Sequence, residues 1–174
     1  MRLPLEYLYL LGLYLGDGCI SAHARGVYRL RVVPDRVYPG IITSAQLAMA
    51  RVRGKPAALL ERADNCVEVS SYWRSWPCLF PQHGKGKKHD RRIVLEAWQQ
   101  SLVDRSPEPL LRGLIESDGC RFMSTGRCNW AAPRYAFSNR SADIHEIFRH
   151  GCDVLGVRRT TAGSRTTYVS RQAD

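Results

Sequence analysis

Leu10-Leu11-Gly12-Leu13-Tyr14-Leu15-Gly16-Asp17-Gly18 decides the fold, because the chain repeats its pattern as Leu111-Arg112-Gly113-Leu114-Ile115-Glu116-Ser117-Asp118-Gly119. Each copy is largely apolar, carries small residues four apart (Gly12 and Gly16, Gly113 and Ser117) and closes on Asp-Gly-Cys. A spacing of four puts small side chains on one helix face, and a face without bulk lets two backbones approach closely. The closing glycines predict left-handed caps that stop each helix with its acid at the very end. Helices paired through Gly12, Gly16, Gly113 and Ser117 would bring Asp17 and Asp118 together.

A carboxylate at a helix C-terminus faces the negative end of the dipole. Two together repel each other unless a cation sits between them. The sequence therefore predicts a divalent-metal site at the converging ends. One apolar helix ending in Asp-Gly is ordinarily just a buried, capped helix; the repetition carries the reading. Neither acid is followed by the alternating acids of an EF-hand loop, so a calcium loop fits poorly.

At 174 residues, 44% hydrophobic and 24% charged, the composition is globular and sufficient for a real core. The net charge of +10 and the sequence pI of about 9.7 point to a polyanionic partner. Lysine is scarce: the 26 basic residues include Lys55, Lys85, Lys87 and Lys88, and all the others are arginine. Arginine's fork suits phosphates and guanine edges. No basic amphipathic helix suggests a membrane surface. The apolar run Tyr7–Leu15 is too short to span a bilayer. Its tyrosines and the following Gly-Asp-Gly argue against a secretory signal. Six cysteines, none in a CxxC or zinc-spaced cluster, predict reduced thiols and a cytoplasmic protein. The Gly84-Lys85-Gly86-Lys87-Lys88 stretch lacks the GKS/GKT ending of a phosphate-binding loop, so no nucleotide cofactor is expected.

Around the two motif helices, residues 19–24 and 27–33 read as a hairpin, with Arg29 and Arg31 on one face of Tyr28–Val32. Residues 40–53 read as a helix, 55–65 as a connection with a short helical piece, and 67–72 as a strand. Ile93–Leu102 reads as a helix burying Trp98, and Ser106 as the cap of a second motif helix starting at Pro107. Arg134–Ser138 reads as a strand that meets the polar turn Asn139-Arg140, paralleling the earlier turn Asp35-Arg36, and Ser141 caps the helix that follows. The last candidate strands are Arg158–Arg159 and Thr166–Ser170.

The paired stretches resemble the two motifs of the LAGLIDADG homing endonuclease family, and the flanking elements match its αββαββα half-unit in outline. The resemblance implies an α+β fold: a pseudo-twofold pair of halves (residues 1–103 and 104–174), motif helices at the interface, and antiparallel sheets forming a DNA-binding saddle. The second half is shorter, with nothing matching Ile93–Leu102. The resemblance further implies a monomeric, metal-dependent endonuclease that cuts duplex DNA to 5′ phosphates and short 3′ overhangs. Asp17 and Asp118 would hold Mg²⁺, with the backbone carbonyls of Gly16 and Ser117 completing the coordination. Lys85, Lys87, Lys88 and Gln82 are the candidates for catalytic support. His23, Arg25, Arg29, Arg31, Arg74, Arg121, Arg127, Arg134 and Arg165 are the candidate DNA contacts. Two other uses of such a scaffold fit the sequence: a non-cleaving transcriptional regulator and an RNA maturase.

Overall fold

Two helices meet face to face at the centre of the molecule: α1 (Glu6–Leu15) and α5 (Pro107–Asp118). Every residue of α1 from Tyr7 to Leu15 is buried, as an all-round apolar helix requires. A Cβ on Gly12 would lie inside 3.0 Å of the α5 backbone at Leu110 and Leu114, and one on Gly113 would do the same at Tyr9 and Leu13. No larger side chain fits there without pushing the helices apart.

The computed structural model describes residues 3–125 and 131–170. After α1 come β1 (Cys19–Ala22), β2 (Tyr28–Val32), α2 (Pro39–Arg53), β3 (Ala58–Glu61), β4 (Val67–Trp73), α3 (Trp76–Leu79) and α4 (Ala97–Arg105). After α5 come β5 (Gly119–Thr125), β6 (Ala131–Ser138), α6 (Ala142–Val154), β7 (Arg159–Ala162) and β8 (Thr166–Ser170). The strands form two antiparallel four-stranded sheets, ordered β1-β2-β4-β3 and β5-β6-β8-β7. The second order is the first repeated, so the fold is an α+β pseudo-twofold pair.

Strand alternation sets the two faces of each sheet. In β2, Leu30 and Val32 are buried toward the helices, which leaves Arg29 and Arg31 on the outer face. In β6, Phe137 turns inward and stacks on Phe148 of α6, with ring centroids 4.3 Å apart. Arg134 and Ala136 have the opposite parity and belong to the outer face.

Several local expectations are corrected. Gly18 and Gly119 are not left-handed caps; among the described residues, neither is a glycine of positive φ, and Gly119 is extended. Close approach is what excludes a side chain there: a Cβ on Gly119 would lie 2.7 Å from the Ile115 oxygen and 2.8 Å from the Ala136 oxygen. Ser106 makes no capping hydrogen bond to α5. Residues 58–61 of the supposed connection pair with β4 as an edge strand, because the partner strand supplies what local propensity does not. The helix expected from Ile93 begins at Ala97, and Trp98 is 39% exposed. The buried polar residue of α4 is instead Gln99, whose amide donates to the Tyr7 hydroxyl at 2.7 Å. Ser141 does cap α6, accepting from the Ile144 amide.

Candidate metal and nucleic-acid site

At the C-terminal ends of α1 and α5, a cavity of about 480 Å³ opens with Asp17, Asp118 and Lys88 in its wall. Helix pairing through the small faces places both acids there. Asp118 is the last residue of α5, whereas Asp17 lies two residues beyond α1, where the Gly18 amide donates to the Leu13 oxygen at 3.0 Å. The second helix also closes tightly on the first: Gly16 faces Ser117 and the carboxyl carbon of Asp118.

Lys88 enters from the loop between α3 and α4. That loop is tied down by Arg91 donating to the Gln82 oxygen, and by the Ile93 amide donating to the Asp143 carboxylate of α6 at 2.7 Å. The Lys88 ammonium donates to the backbone oxygens of Tyr14 (2.5 Å) and Gly16, and lies 5.2 Å from the Tyr14 ring centroid. Burial lowers its pKa to about 8, against the opposing pull of Asp118 and Asp17. Burial, and then the charge of Asp17, push Asp118 up to about 6, opposed by a hydrogen bond from the Asn139 amide and by Lys88. Asp17 is raised by burial and held back by Lys88. The three groups are therefore one electrostatic unit, in which the Lys88 ammonium faces two carboxylates and the charge of Asp17 raises Asp118.

The donor set fits a hard divalent cation: two carboxylates and nearby backbone carbonyls, all oxygen. Burial raises both carboxyls, and the charge of Asp17 adds to the rise at Asp118; a divalent ion would favour the charged form of each. The Gly16 carbonyl, a predicted ligand, is already an acceptor for Lys88. At Ser117 only the carbonyl remains a candidate, because the hydroxyl donates to the Gly113 and Leu114 oxygens at 2.9 and 3.1 Å. Among the described residues, no group of three His, Cys, Asp or Glu side chains could hold a metal.

The remaining candidate residues separate clearly. Of the three loop lysines, Lys88 turns into the cavity the acids line and donates to the Tyr14 and Gly16 backbone oxygens, Lys87 lines the cavity from an exposed position, and Lys85 is exposed outside the cavity wall. Gln82 is corrected to a core residue. It is buried, and its amide nitrogen donates to the Val94 oxygen at 2.8 Å and the Gln99 side chain at 2.5 Å. Arg29 and Arg31 lie on the outer face of the first sheet with Glu68 between them; Arg29 is paired to that carboxylate and Arg31 is 4.0 Å away. His23 is exposed and packs edge-on to Tyr72, with centroids 5.0 Å apart. Arg25 is exposed at the β1–β2 turn, and Arg74 is exposed just after β4. Arg134 shares the outer face of the second sheet, and Arg165 lines the cavity. Arg121 is a correction: it pairs with Tyr135 and shares the parity of Phe137, which places it on the helix side of its sheet. Arg127 lies outside the described residues.

The sequence reading missed Asn139 and Arg140. Asn139 donates to Asp118 at 2.5 Å, and Arg140 joins the cavity wall. The signal was present, since the turn Asn139-Arg140 stands where Asp35-Arg36 stands in the first half. Sequence alone gave no means of aiming it at an acid twenty-one residues away.

No protein-family model matches the sequence, and no curated protein matches it. Solved structures do. The chain is similar to I-DmoI in complex with DNA and Mn (TM-score 0.58, 15% identity, covering 96% of this chain and 89% of that one). It is also similar to the LAGLIDADG meganuclease I-AabMI bound to uncleaved DNA (TM-score 0.56, 9% identity, 95% and 78% covered). A third likeness is to the N-terminal LAGLIDADG domain of DUF199/WhiA (TM-score 0.52, 11% identity, 97% and 76% covered). At such identities the likeness carries the architecture. With two motif helices paired through small residues and two sheets of identical order, this chain has the LAGLIDADG fold.

Proposed function

We propose that the protein is a divalent-metal-dependent endonuclease of duplex DNA, acting as a monomer because one chain supplies both acids. The observation that carries the reading is the convergence of Asp17, Asp118 and Lys88 on one cavity. The resemblance to I-DmoI and I-AabMI, structures that contain DNA, supports it, as does the net charge of +10. A bound Mg²⁺ or similar cation would supply the charge that activates water and stabilises the leaving oxygen. Asp17 and Asp118 would hold that ion at the cavity where their helices converge. Lys88, protonated at neutral pH but with a pKa of about 8, offsets the negative charge of the transition state and can give a proton to the departing 3′ oxygen. Arg140 and Arg165 at the cavity wall hold flanking phosphates. Among the described residues, no helix is long and apolar enough to cross a membrane.

A second reading has its own support. Lys88, held by the Tyr14 and Gly16 backbone oxygens in the cavity the acids line, would serve as a built-in counter-ion in place of a metal. A DNA-binding regulator that does not cut would be left with such a site, and the WhiA domain shares the architecture. Incubating supercoiled plasmid carrying a selected target with the protein and Mg²⁺, beside Asp17→Asn and Asp118→Asn, separates the two. Linear product from the unaltered protein alone supports the nuclease. Tight duplex binding with no cleavage in Mg²⁺ or Mn²⁺ supports the regulator.

A further inference from the structure

Behind the second half's share of the acid cavity lies a histidine to which the proposed reaction gives no role. His145, near the start of α6, is only 2% exposed. Its ring packs edge-on to Phe137, with centroids 5.2 Å apart, in the core that also holds Phe148. Its Nε2 lies 3.0 Å from the Asn139 backbone oxygen and 3.0 Å from the Arg165 backbone oxygen. Carbonyl oxygens only accept, so Nε2 carries the hydrogen and donates to both. The Asn139 backbone amide, 3.3 Å from Nε2, then gives its own hydrogen to the Arg165 oxygen at 3.2 Å. The other ring nitrogen, Nδ1, is buried without a partner among the described residues. An unpaired buried polar atom is unfavourable. A phenyl ring would therefore pack better against Phe137, and what the imidazole adds is the Nε2 bridge.

Both bridged residues belong to the acid cavity. Arg165 reaches its wall from the turn between β7 and β8, and Asn139 reaches it from the end of β6. The Asn139 side chain is set at both ends: its oxygen accepts from the Ser141 amide at 2.7 Å, and its nitrogen donates to Asp118 at 2.5 Å. That aim depends on the backbone that carries it, which His145 pins. The matching turn of the first half is arranged otherwise. There the Asp35 carboxylate accepts from the Val37 amide at 3.0 Å and from the Asn65 side chain at 3.2 Å, so it is taken up by its own turn and the facing hairpin loop.

We propose that His145 is a positioning residue of the acid site: one imidazole N–H locks the Asn139 turn to the Arg165 turn, and so holds the Asn139 amide on Asp118 and Arg165 at the cavity wall. It touches no reacting group and acts through the two turns. Its consequence for metal binding rests on the reading of Asp17 and Asp118 as a divalent-ion site; the bridge itself does not.

NMR of the unaltered protein, with its histidines isotope-labelled, tests the bridge directly. The neutral ring should be the Nε2–H tautomer, with that hydrogen protected from exchange; the Nδ1–H tautomer overturns the proposal. His145→Phe keeps a ring against Phe137 and removes the bridge. It should fold, lose the Asn139 side-chain amide resonances that the short bond to Asp118 displaces, and bind Mn²⁺ about 10-fold more weakly by calorimetry. His145→Gln, whose amide can donate from nearly the same place, should restore most of both. Asn139→Ala should weaken Mn²⁺ binding to a similar degree, and adding it to His145→Phe should change little more, because both act through one contact. Unchanged Asn139 resonances in folded His145→Phe, or fully additive losses in the double variant, overturn the proposal. Should His145→Phe fail to fold, a folded His145→Gln lacking the displaced Asn139 resonances overturns it equally. If the unaltered protein binds no Mn²⁺, the metal-site reading fails, while the tautomer and the Asn139 resonances still decide the bridge.

Discussion

Asp17 and Asp118 occupy matching places in a repeated fold, yet their surroundings do not match. Asp118 belongs to its helix, is partly buried, and accepts a hydrogen bond from Asn139 at 2.5 Å. Asp17 stands two residues beyond its helix, opens more to solvent than Asp118 although its carboxyl is partly desolvated, and feels Lys88 as its main compensating charge. The difference teaches that the repeat preserves backbone architecture while each half supplies its own polar support. The first half lends a cation from a loop, and the second an amide from a turn.

The largest test of that comparison is to remove each acid. Asp17→Asn and Asp118→Asn should each lower cleavage by at least about 10³-fold, while duplex affinity holds or improves because a negative charge leaves the phosphate path. Plasmid assays beside filter binding measure both. If only one acid mattered, the two would not share a reaction and the pseudo-twofold reading of the site would fail.

Lys88 sharpens the asymmetry, since the second half contains no lysine. Lys88→Met should slow one strand's cleavage by roughly 10²–10³-fold, so that nicked plasmid accumulates ahead of linear product. Divalent-ion affinity should rise in the same variant, because an ammonium no longer competes for the acids. Lys85→Ala, which changes a residue outside the cavity wall, should leave the time course unaltered. Equal slowing of both strands by Lys88→Met would mean that the lysine serves the whole site.

The helix pair tests the feature the halves share. Gly113→Ala places a Cβ inside 3.0 Å of the α1 backbone. The cost should be about 3 kcal/mol, seen as a fall in Tm of roughly 6–12 °C. Gly40→Ala, where a Cβ meets nothing within 4 Å, serves as the control. An unchanged Tm in Gly113→Ala would mean that the helices are not in close contact.

The smallest effect concerns Asp118 itself. Its folded pKa of about 6 exceeds the ordinary 3.8, so the metal-free folded state holds the extra proton between those values. That group's contribution to stability is therefore fully present below pH 3.8 and is lost as pH rises through about 6. Metal binding requires the carboxylate, so apparent affinity should weaken as pH falls below about 6. Asn139→Ala removes a bond to the charged form and should move the midpoint upward, as followed by the carboxyl carbon's NMR shift. A downward move would show that Asn139 does not stabilise the ionised acid.

Much of this molecule is legible in its sequence for a local reason. Small residues four apart and a terminal Asp-Gly specify a helix face and its end, and strict alternation in Tyr28–Val32 specifies which side of a strand Arg29 and Arg31 take. Those features belong to single elements, whose periods of 3.6 and 2 are fixed by backbone geometry. Tertiary structure decided everything that depends on which element reaches which. Lys87 and Lys88 are neighbours in sequence, but only Lys88 is folded under the acids, because Arg91 and Asp143 tether its loop. Gln82 looked like polar support for catalysis and is bound in the core by Gln99. Arg121 and Arg134 read alike as cations near strands, and the β5–β6 register alone put them on opposite faces. A one-residue shift of register exchanges the two faces of a strand, and nothing local to either arginine fixes that register; the pairing partner does.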